Sequence, residues 1–357
     1  MSGYLLPERG RACFDVRCPE FWNLKFMPQR LALLKTWLAD VLETTAFTLA
    51  PASSDASFRR YFRLRYDGRS LIVMDAPPTQ EDTAAFLRIA ELLNTEGLNA
   101  PRILAKDIRQ GFLLLTDLGD TPYLQVLTET TADRLYGDAL SALLHMQQIH
   151  RNRLDAIPPY DRVLLIQEMN LFRDWYLKRQ RQRVVSPLQE QSLDEVFERL
   201  ASSALDQPVV FVHRDYHSRN LMFTEETNPG IIDFQDAVQG PVTYDLVSLL
   251  RDCYIRWPRA RVEGWALNYL RDARQAGIVG MAGDAIDDEA WLRWFDWMGV
   301  QRHLKAAGIF ARLNLRDGKP GYLGDIPRTL GYVREVAGRY RELQALLDFL
   351  PAGEPIL

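Results

Sequence analysis

The sequence predicts an α+β fold in two lobes, a small lobe with an antiparallel sheet plus a helix and a larger, mostly helical lobe. Three observations support this prediction. Short β-forming runs separated by turns dominate residues 47–75 and recur at 102–116, on either side of an amphipathic segment at 81–96. From residue 121 onward, apolar residues recur mostly at helical spacing. Short apolar runs with polar residues between them then interrupt the helical part at 209–236.

The composition limits the class of protein and its partners. With 357 residues, 47% apolar residues and a net charge of −4, the chain can bury a large core and has no global basic field to attract nucleic acid. No run approaches the roughly 18 apolar residues of a membrane span, and no apolar signal region stands near the N-terminus. The three cysteines lack metal-site spacing, which suits a reducing compartment. We therefore expect a cytoplasmic protein with no membrane or nucleic-acid partner; the sequence carries no signal for an oligomeric state.

The first part of the chain predicts the small lobe in order. Residues 30–43 place their apolar side chains on one stripe of a helix. Three strands follow, the last two joined by an Asp67-Gly68 hairpin turn, and the helix at 81–96 ends at Gly97. The residues before this lobe hold prolines and scattered charges without periodicity, so we expect them to be poorly ordered. The predicted regions are this extension, the small lobe and the large lobe, at 1–26, 27–118 and 119–357.

The second part predicts helices separated by loops. Apolar residues repeat at three- and four-residue spacing in each segment, and Pro258 separates two of the segments. Trp291, Trp294 and Trp297 recur at helical spacing, which is typical of a buried stripe. The predicted helices cover 132–150, 164–181, 188–200, 244–257, 259–276, 287–315 and 327–350.

The polar residues after the run Val209–Val212 carry the chemical signal. Asp215 and Asn220 stand five residues apart in one loop, and Asp233 ends a later short strand. Phosphoryl transfer from ATP needs a carboxylate that orients the acceptor hydroxyl and accepts its proton, and oxygen ligands for Mg²⁺. Kinase catalytic loops place the base five residues before a metal-binding Asn, and a later Asp takes the main metal. The spacing therefore predicts Asp215 as the base, and Asn220 and Asp233 as magnesium ligands.

The phrases HRDYHSRN, at 213–220, and IIDFQD, at 231–236, resemble the aminoglycoside phosphotransferase family, relatives of the protein kinases that phosphorylate small molecules. The resemblance implies a bilobal protein-kinase-like fold. It also implies that His213 braces the catalytic loop. Residues 240–246 resemble the family's Gly-Pro-x-x-x-Asp-Leu segment, in which the Asp, here Asp245, mostly braces structure.

Two small-lobe segments are predicted to contact ATP. In kinase-like small lobes the first hairpin turn covers the phosphates, and that turn here is 53–57, which holds no glycine. Backbone N–H groups and serine hydroxyls can still hold phosphate oxygens. Residues 113–119 resemble the family's interlobe segment, whose backbone hydrogen-bonds adenine. The resemblance thus predicts nucleotide contacts at Ser53, Ser54, Asp55, Ser57, Thr116, Asp117 and Leu118.

One expected cation is absent from the third strand. Kinase-like proteins usually carry a Lys there for the α- and β-phosphates, whereas Met74 stands near that place. Phosphate charge in a closed cleft calls for a cation besides Mg²⁺. Arg60 and Arg63 lie on the neighbouring strand, and alternation puts them on opposite faces. We favour Arg60 as the phosphate contact because it shares its face with Phe58 and Phe62.

Two small-lobe phrases, at 54–63 and 73–78, resemble a bacterial branch of the family that contains the anomeric kinases of N-acetylmuramate and N-acetylglucosamine. The resemblance implies transfer of the γ-phosphate of ATP to the C1 hydroxyl of such a sugar, in peptidoglycan recycling. The lactyl carboxylate of N-acetylmuramate calls for an Arg partner. Acceptor contacts are expected in the large lobe near the base, at Glu168, Arg173, Asp174, His217 and Arg219.

Three alternatives stay open. The acceptor could be another small molecule, such as an aminoglycoside or choline, and a strongly acidic pocket would favour such a cation. The missing Lys would also fit a nucleotide-binding regulator without turnover. Finally, His213, Asp215 and His217 could be zinc or iron ligands of a hydrolase, although that interpretation leaves Asn220 and Asp233 unused.

Overall fold

The computed structural model describes residues 20–53, 59–280 and 286–351, with side chains described from residue 29 onward except at positions 53 and 151. Over these residues the chain has the predicted two-lobed α+β fold. The small lobe holds a five-stranded sheet, and the large lobe is mainly helical with two short hairpin-like sheets.

The small-lobe sheet consists of β1 (Thr48–Ser53), β2 (Arg60–Tyr66), β3 (Arg69–Asp75), β4 (Ile103–Asp107) and β5 (Phe112–Thr116). The strands lie in the order β1-β2-β3-β5-β4, and each neighbouring pair is antiparallel. The turn between β2 and β3 has positive φ angles at both Asp67 (49°) and Gly68 (69°). Two such residues match the twist of an antiparallel hairpin, so the Asp-Gly pair fixes this register.

Helix α1 (Glu20–Leu42) covers one face of this sheet. Its Leu34 and Leu38 are fully buried against a small cluster of strand residues that includes Val73. The guanidinium of Arg30 donates to the buried carboxylate of Asp75, with 2.6 Å between Nε and Oδ1. The apolar stripe and this ion pair together fix the helix on the sheet.

Helix α1 starts earlier than predicted. It begins at Glu20 rather than at residue 30 and so extends into the predicted N-terminal extension at 1–26. Residues 1–19 lie outside the described part of the chain.

Helix α2 (Thr83–Thr95) packs on the other face of the sheet, as predicted for 81–96. Asp82 caps it by accepting a hydrogen bond from the N–H of Ala84 at 2.8 Å. The ring of Phe86 lies 5.0 Å from that of Phe234, measured between centroids. This contact joins the small lobe to the segment of the large lobe that carries Asp233.

The large lobe surrounds two short antiparallel pairs, β6 (Val209–Val212) with β9 (Val238–Pro241) and β7 (Leu221–Met222) with β8 (Gly230–Ile231). Strand β9 was not predicted. Among the described residues, no helix has both the length and the apolar character needed to cross a bilayer. The helices of this lobe are α3 (Tyr123–Val126), α4 (Ala132–Gln147), α5 (Arg162–Leu171), α6 (Pro187–Leu205), α7 (Tyr244–Leu250), α8 (Arg259–Gln275), α9 (Asp288–Asp317) and α10 (Ile326–Arg339).

Three predicted helices differ from the observed ones; the one predicted at 327–350 is α-helical only to Arg339 and is followed by a 3-10 helix over Arg341–Phe349. Helix α7 ends at Leu250 instead of continuing to 257. Arg251 leaves the helix and turns its buried guanidinium to Asp296 of α9, with 3.0 Å between the charged atoms. The predicted helix at 164–181 is α-helical only to Leu171 and continues as a π-helix over Phe172–Gln180.

Helix α9 is the central element of the large lobe and packs closely on the α5–π-helix junction. A Cβ atom at Gly308 would lie 2.5 Å from both the carbonyl oxygen of Leu171 and the amide nitrogen of Phe172. Because no side chain fits there, only glycine at position 308 lets α9 come this close to the backbone of Leu171 and Phe172. The same helix buries Trp291 and Trp297, as expected for a core stripe, whereas Trp294 is only partly buried.

We expect Gly308→Ala to lower the free energy of unfolding by about 1–3 kcal/mol, since the new methyl group must push two backbones apart. The matched control is Gly264→Ala in α8, where a Cβ meets nothing within 4 Å. That change should stabilise the protein by about 0.5–1 kcal/mol. Urea denaturation of both variants measures the difference, and equal stabilities would contradict the close approach.

Candidate active site

The polar loop after β6 is held by one carboxylate of α7. Asp245 is fully buried and accepts the N–H groups of His213 at 2.6 Å and Arg214 at 3.0 Å. Burial raises the pKa of Asp245 to about 7, although the hydrogen bonds from the two N–H groups favour the ionised carboxylate and lower the pKa. Arg214 has a φ of 76°, a conformation that residues with side chains rarely adopt. The two hydrogen bonds hold the loop in this uncommon conformation.

His213 joins this loop to the neighbouring hairpin. Its buried ring has Nε2 at 3.1 Å from the carbonyl oxygen of Ile232, and Nδ1 at 3.3 Å from the N–H of Asp215. Burial lowers the pKa of His213 to about 4, so the ring is neutral near pH 7. These contacts support a bracing role for His213.

Asp215, Asn220 and Asp233 come together at the end of the loop. The amide of Asn220 donates to the backbone oxygen of Asp215 at 3.1 Å and lies 3.3 Å from Oδ2 of Asp233. Gln235 donates to the other oxygen of Asp233 at 2.8 Å, and Asp233 has a φ of 64°. The predicted base and the two predicted metal ligands are therefore neighbours.

Positive charge surrounds Asp215. Burial alone would raise the pKa of this carboxyl, but nearby cationic groups outweigh the effect and lower the pKa to about 2. Asp215 is thus ionised throughout the neutral range, ready to accept a hydrogen bond from a hydroxyl. The cations responsible are Lys305, Arg302 and Arg214.

Glu168 ties two of these cations together. Its carboxylate is buried, pairs with Arg214, and lies 3.0 Å from Nζ of Lys305. The hydroxyls of Tyr160 and Tyr244 complete the cluster, the first donating to Glu168 and the second accepting from Lys305 at 3.0 Å. Burial opposes its charge, yet the two cations lower the pKa of Glu168. Glu168 therefore positions charge beside the base.

A cavity of about 440 Å³ lies between the lobes, beside Asn220 and Asp233. Thr116, Asp117 and Leu118, which the resemblance predicts to contact adenine, are among the residues that line it. Further walls are apolar and come from both lobes, among them Ile72, Leu115, Met222, Ile232 and Phe234. An apolar slot with backbone groups at one edge suits a planar base.

Arg63, and not Arg60, points into this cleft. Arg63 lines the cavity and pairs with Asp117, with 2.8 Å between Nε and Oδ2, and it donates to the Gly119 oxygen at 2.8 Å. Arg60 instead lies on the sheet face covered by α1 and pairs with Asp75. Our preference for Arg60 as the phosphate contact is therefore wrong, because the apolar face that it shares packs on α1.

The predicted phosphate turn is described only at its edges. Ser53 ends β1 without a described side chain, and Ser54, Asp55 and Ser57 lie outside the described residues. At the far edge of the turn, Arg59 pairs with Glu81, with 3.1 Å between Nε and Oε2. Burial works against the charge of Arg59, but Tyr61, Glu81 and Asp233 together raise its pKa. A cation thus stands near the predicted metal ligand, in a place that the sequence did not indicate.

Some of the predicted acceptor residues lie near Asp215 and others do not. Glu168 belongs to the charge cluster beside the base, as described above. The His217 ring is buried against Tyr254 at 5.4 Å between centroids, and burial lowers its pKa. The Arg219 guanidinium stacks 3.5 Å from the same tyrosine ring and borders the cavity.

The other two acceptor candidates point elsewhere or carry no contact that supports the role. Arg173 pairs with Asp194 of α6 at 2.8 Å and with Asn170 at 2.9 Å, which directs it away from the base. Asp174 is exposed on the π-helix. Among the described residues, no three His, Cys, Asp or Glu side chains are arranged to hold a metal ion.

Sequence reasoning missed the cations that helix α9 supplies. Lys305 and Arg302 lie far along the chain from the loop, so no local spacing links them to Asp215. The available signal was their position within the otherwise mostly apolar stretch WMGVQRHLKAAGIFA, at 297–311. Charged residues in a buried stripe need partners, and here they are found at the site.

Comparisons with known proteins agree with this geometry. The sequence model of the phosphotransferase enzyme family (APH) matches residues 48–295. An N-acetylmuramate/N-acetylglucosamine kinase of Pseudomonas putida is 47% identical over 332 residues, which cover 90% of this chain and 96% of the relative. The enzyme of the same name from Pseudomonas aeruginosa is 49% identical over 311 residues, 85% of this chain and 89% of the relative.

Solved structures share the fold at low sequence identity. Plasmodium vivax ethanolamine kinase superposes with a TM-score of 0.59 at 11% identity, covering 87% of each chain. The ADP-bound aminoglycoside phosphotransferase APH(2'')-Ib has a TM-score of 0.56 at 14% identity, covering 85% of this chain and 98% of the other. These likenesses support the bilobal kinase-like fold.

We expect Arg63→Ala to weaken ATP binding by about tenfold, equivalent to 1.4 kcal/mol, because the interlobe segment loses its tie to β2. Arg65→Ala is the matched control, since Arg65 is exposed two residues along the same strand. Arg60→Ala should lower stability but leave ATP affinity near that of the wild type. Calorimetric titration and thermal melting separate the three effects; a loss of affinity in Arg60→Ala alone would reverse the assignment.

Proposed function

The chain belongs to the phosphotransferase enzyme family, and we propose that it transfers the γ-phosphate of ATP to the C1 hydroxyl of N-acetylmuramate or N-acetylglucosamine. The names of relatives that match 85–90% of the chain support these acceptors. Both sugars are building blocks of peptidoglycan, so the reaction would serve the recycling of cell-wall sugars in the cytoplasm, where ATP is present.

The positive charge around Asp215 is the observation that favours this acceptor. Lys305, Arg302 and Arg214 all act on the base, and the nearby carboxylate of Glu168 is already neutralised by two of them. An aminoglycoside or choline would bring further positive charge to this place, which like-charge repulsion disfavours. A neutral or anionic sugar suits the site.

The low pKa of Asp215 also suits an anomeric hydroxyl. A carboxylate with a depressed pKa is a weak base, so it serves best where the acceptor is comparatively acidic. An anomeric hydroxyl is more acidic than an ordinary alcohol. In the proposed reaction Asp215 orients the C1 hydroxyl toward the γ-phosphate and takes its proton as the phosphoryl group is transferred.

Asn220 and Asp233 fit a magnesium site. Their side chains lie 3.3 Å apart at the edge of the cavity, and they offer the hard oxygen ligands that Mg²⁺ prefers. When bound, Mg²⁺ would offset the phosphate charge. Gln235 orients the Asp233 carboxylate by its hydrogen bond of 2.8 Å.

Arg59 takes the place of the missing lysine in this proposal. It is paired with Glu81, which precedes α2, and it acts electrostatically on Asp233. A cation so placed can reach phosphate oxygens, so the absence of Lys from β3 is no argument for a regulator without turnover.

Release of ADP with a panel of acceptors tests the function. We expect turnover with N-acetylmuramate and N-acetylglucosamine and none with an aminoglycoside or choline. Phosphorylation at C1 also removes the reducing end of the sugar, so a reducing-sugar assay should lose its signal in step with ADP release. A phosphorylated product that still reduces would identify a different hydroxyl.

Asp215→Asn should lower kcat by at least about 10²-fold while leaving ATP affinity close to normal, because the amide cannot accept the proton. Asp233→Asn is the matched comparison at a second carboxylate of the site, and it should weaken nucleotide binding in the presence of Mg²⁺ as well. Nucleotide titrations with and without Mg²⁺, together with ADP release, distinguish the two. Turnover within a few-fold of wild type in Asp215→Asn would exclude this residue as the base.

Arg59→Met should lower kcat/KM for ATP by roughly 10²-fold, since a cation for the phosphates is lost. Arg59→Lys keeps the charge and should recover part of the activity. Initial rates at varied ATP measure both. If Arg59→Met matched the wild type, the backbone of the 53–57 turn and Mg²⁺ would hold the phosphates without it.

A further inference from the structure

Arg302 is a buried cation without a carboxylate partner. Only 5% of its surface is exposed, on helix α9. Its hydrogen bond is weak: one terminal nitrogen lies 3.8 Å from Sγ of Cys253, and Nε has no acceptor. Among the described residues, no acidic side chain lies within ion-pair distance of it. A buried guanidinium is costly unless an anion pairs with it.

The cations around Arg302 do have such partners. Arg251 lies 3.0 Å from Asp296, Lys305 lies 3.0 Å from Glu168, and Arg214 also pairs with Glu168. The fold therefore supplies a contacting carboxylate to each of these neighbours, whereas Asp215 and Asp252 act on Arg302 only from beyond ion-pair distance. This difference leaves Arg302 with an N–H donor that an anion from outside the chain could accept.

The place of Arg302 identifies which ligand brings that anion. One terminal nitrogen of Arg302 lies 3.8 Å from Sγ of Cys253, the residue before Tyr254. The Tyr254 ring packs on His217 and Arg219, two of the predicted acceptor residues, so Arg302 lies near the part of the site where the acceptor is expected. It does not line the cavity between the lobes, where Asn220 and Asp233 face the nucleotide side. A phosphate of ATP is thus a poor candidate for its partner, and an anionic group of the acceptor is a good one.

We propose that Arg302 binds the lactyl carboxylate of N-acetylmuramate and thereby sets the preference for an acidic over a neutral amino sugar. The proposal rests on the proposed function. The sugar carries its reacting hydroxyl at C1 and its lactyl group at C3, so Asp215 and Arg302 would hold different sides of one ring. The planar guanidinium offers two parallel N–H donors to a carboxylate.

The other arginines near the acceptor suit this role less well. Arg173 already has Asp194 and Asn170 as partners, at 2.8 and 2.9 Å. Arg219 is more exposed, stacks on Tyr254 and has Asp325 at 3.8 Å. A solvated cation with partners gains less from a carboxylate than a buried cation without one.

The wild-type enzyme allows a test without mutation. N-acetylmuramate and its methyl ester have nearly the same bulk, but only the acid carries a charge. We expect kcat/KM to be roughly 30-fold or more higher for the acid, as for other buried charge pairs that lose one partner. Equal values for acid and ester would overturn the proposal.

Arg302→Gln and Arg302→Lys assign the preference to this residue. The readout is the ratio of kcat/KM for N-acetylmuramate to that for N-acetylglucosamine. If the change at Arg302 also alters the reactivity of Asp215, it alters kcat/KM for both sugars alike, so this effect cancels in the ratio. We expect the ratio to fall by roughly 30-fold in Arg302→Gln and by less in Arg302→Lys. Arg219→Gln is the control and should leave the ratio unchanged.

The outcomes separate this proposal from the proposed function. Wild-type protein that phosphorylates neither sugar contradicts the proposed function. In that case, calorimetric binding of the acid and its ester with a non-hydrolysable ATP analogue still tests Arg302: a preference for the acid that Arg302→Lys weakens supports it. An unchanged ratio or preference in the Arg302 variants, or a loss confined to Arg219→Gln, overturns it. Arg302→Lys keeps a buried cation, so the test does not depend on Arg302→Gln folding.

Discussion

The two hydrogen bonds that Asp245 accepts from the backbone of His213 and Arg214 are the constraint on which the site depends. They hold Arg214 at a positive φ, a backbone conformation that is unfavourable for a residue with a side chain. The next residue is Asp215, so its direction is set by this turn. The ring of His213 then fastens the same loop to the hairpin that carries Asp233. One buried carboxylate thus aligns the proposed base and the proposed metal ligands.

Charge is arranged around the loop by a separate element. Helix α9 brings Lys305 and Arg302 to the site, and Glu168 of α5 divides its charge between Lys305 and Arg214. The resulting positive charge keeps Asp215, the proposed base, ionised. The aminoglycoside phosphotransferase APH(2'')-Ib shares this fold, and a shared fold does not by itself determine the acceptor.

The sequence predicted those parts of the site that depend on local spacing. Asp215, Asn220 and Asp233 lie on short connected segments, so their order along the chain nearly determines their proximity. Alternation along β2 also separated Arg60 from Arg63 correctly. It could not say which face meets the cleft, because that depends on where α1 packs. Lys305 and Arg302 were missed for a related reason: they reach the loop only through the packing of distant helices.

The π-helix over Phe172–Gln180 has a consequence for the alignment of relatives. A π-turn accommodates an extra residue compared with an α-turn, so the number of residues in Phe172–Gln180 matters to the structure. Deleting a single residue within this π-helix would rotate every later side chain around the helix axis and break contacts with α9 such as the hydrogen bond between Asn314 and Gln180. Homologues that keep this packing should therefore tolerate exchanges of residue type in the segment far better than gaps.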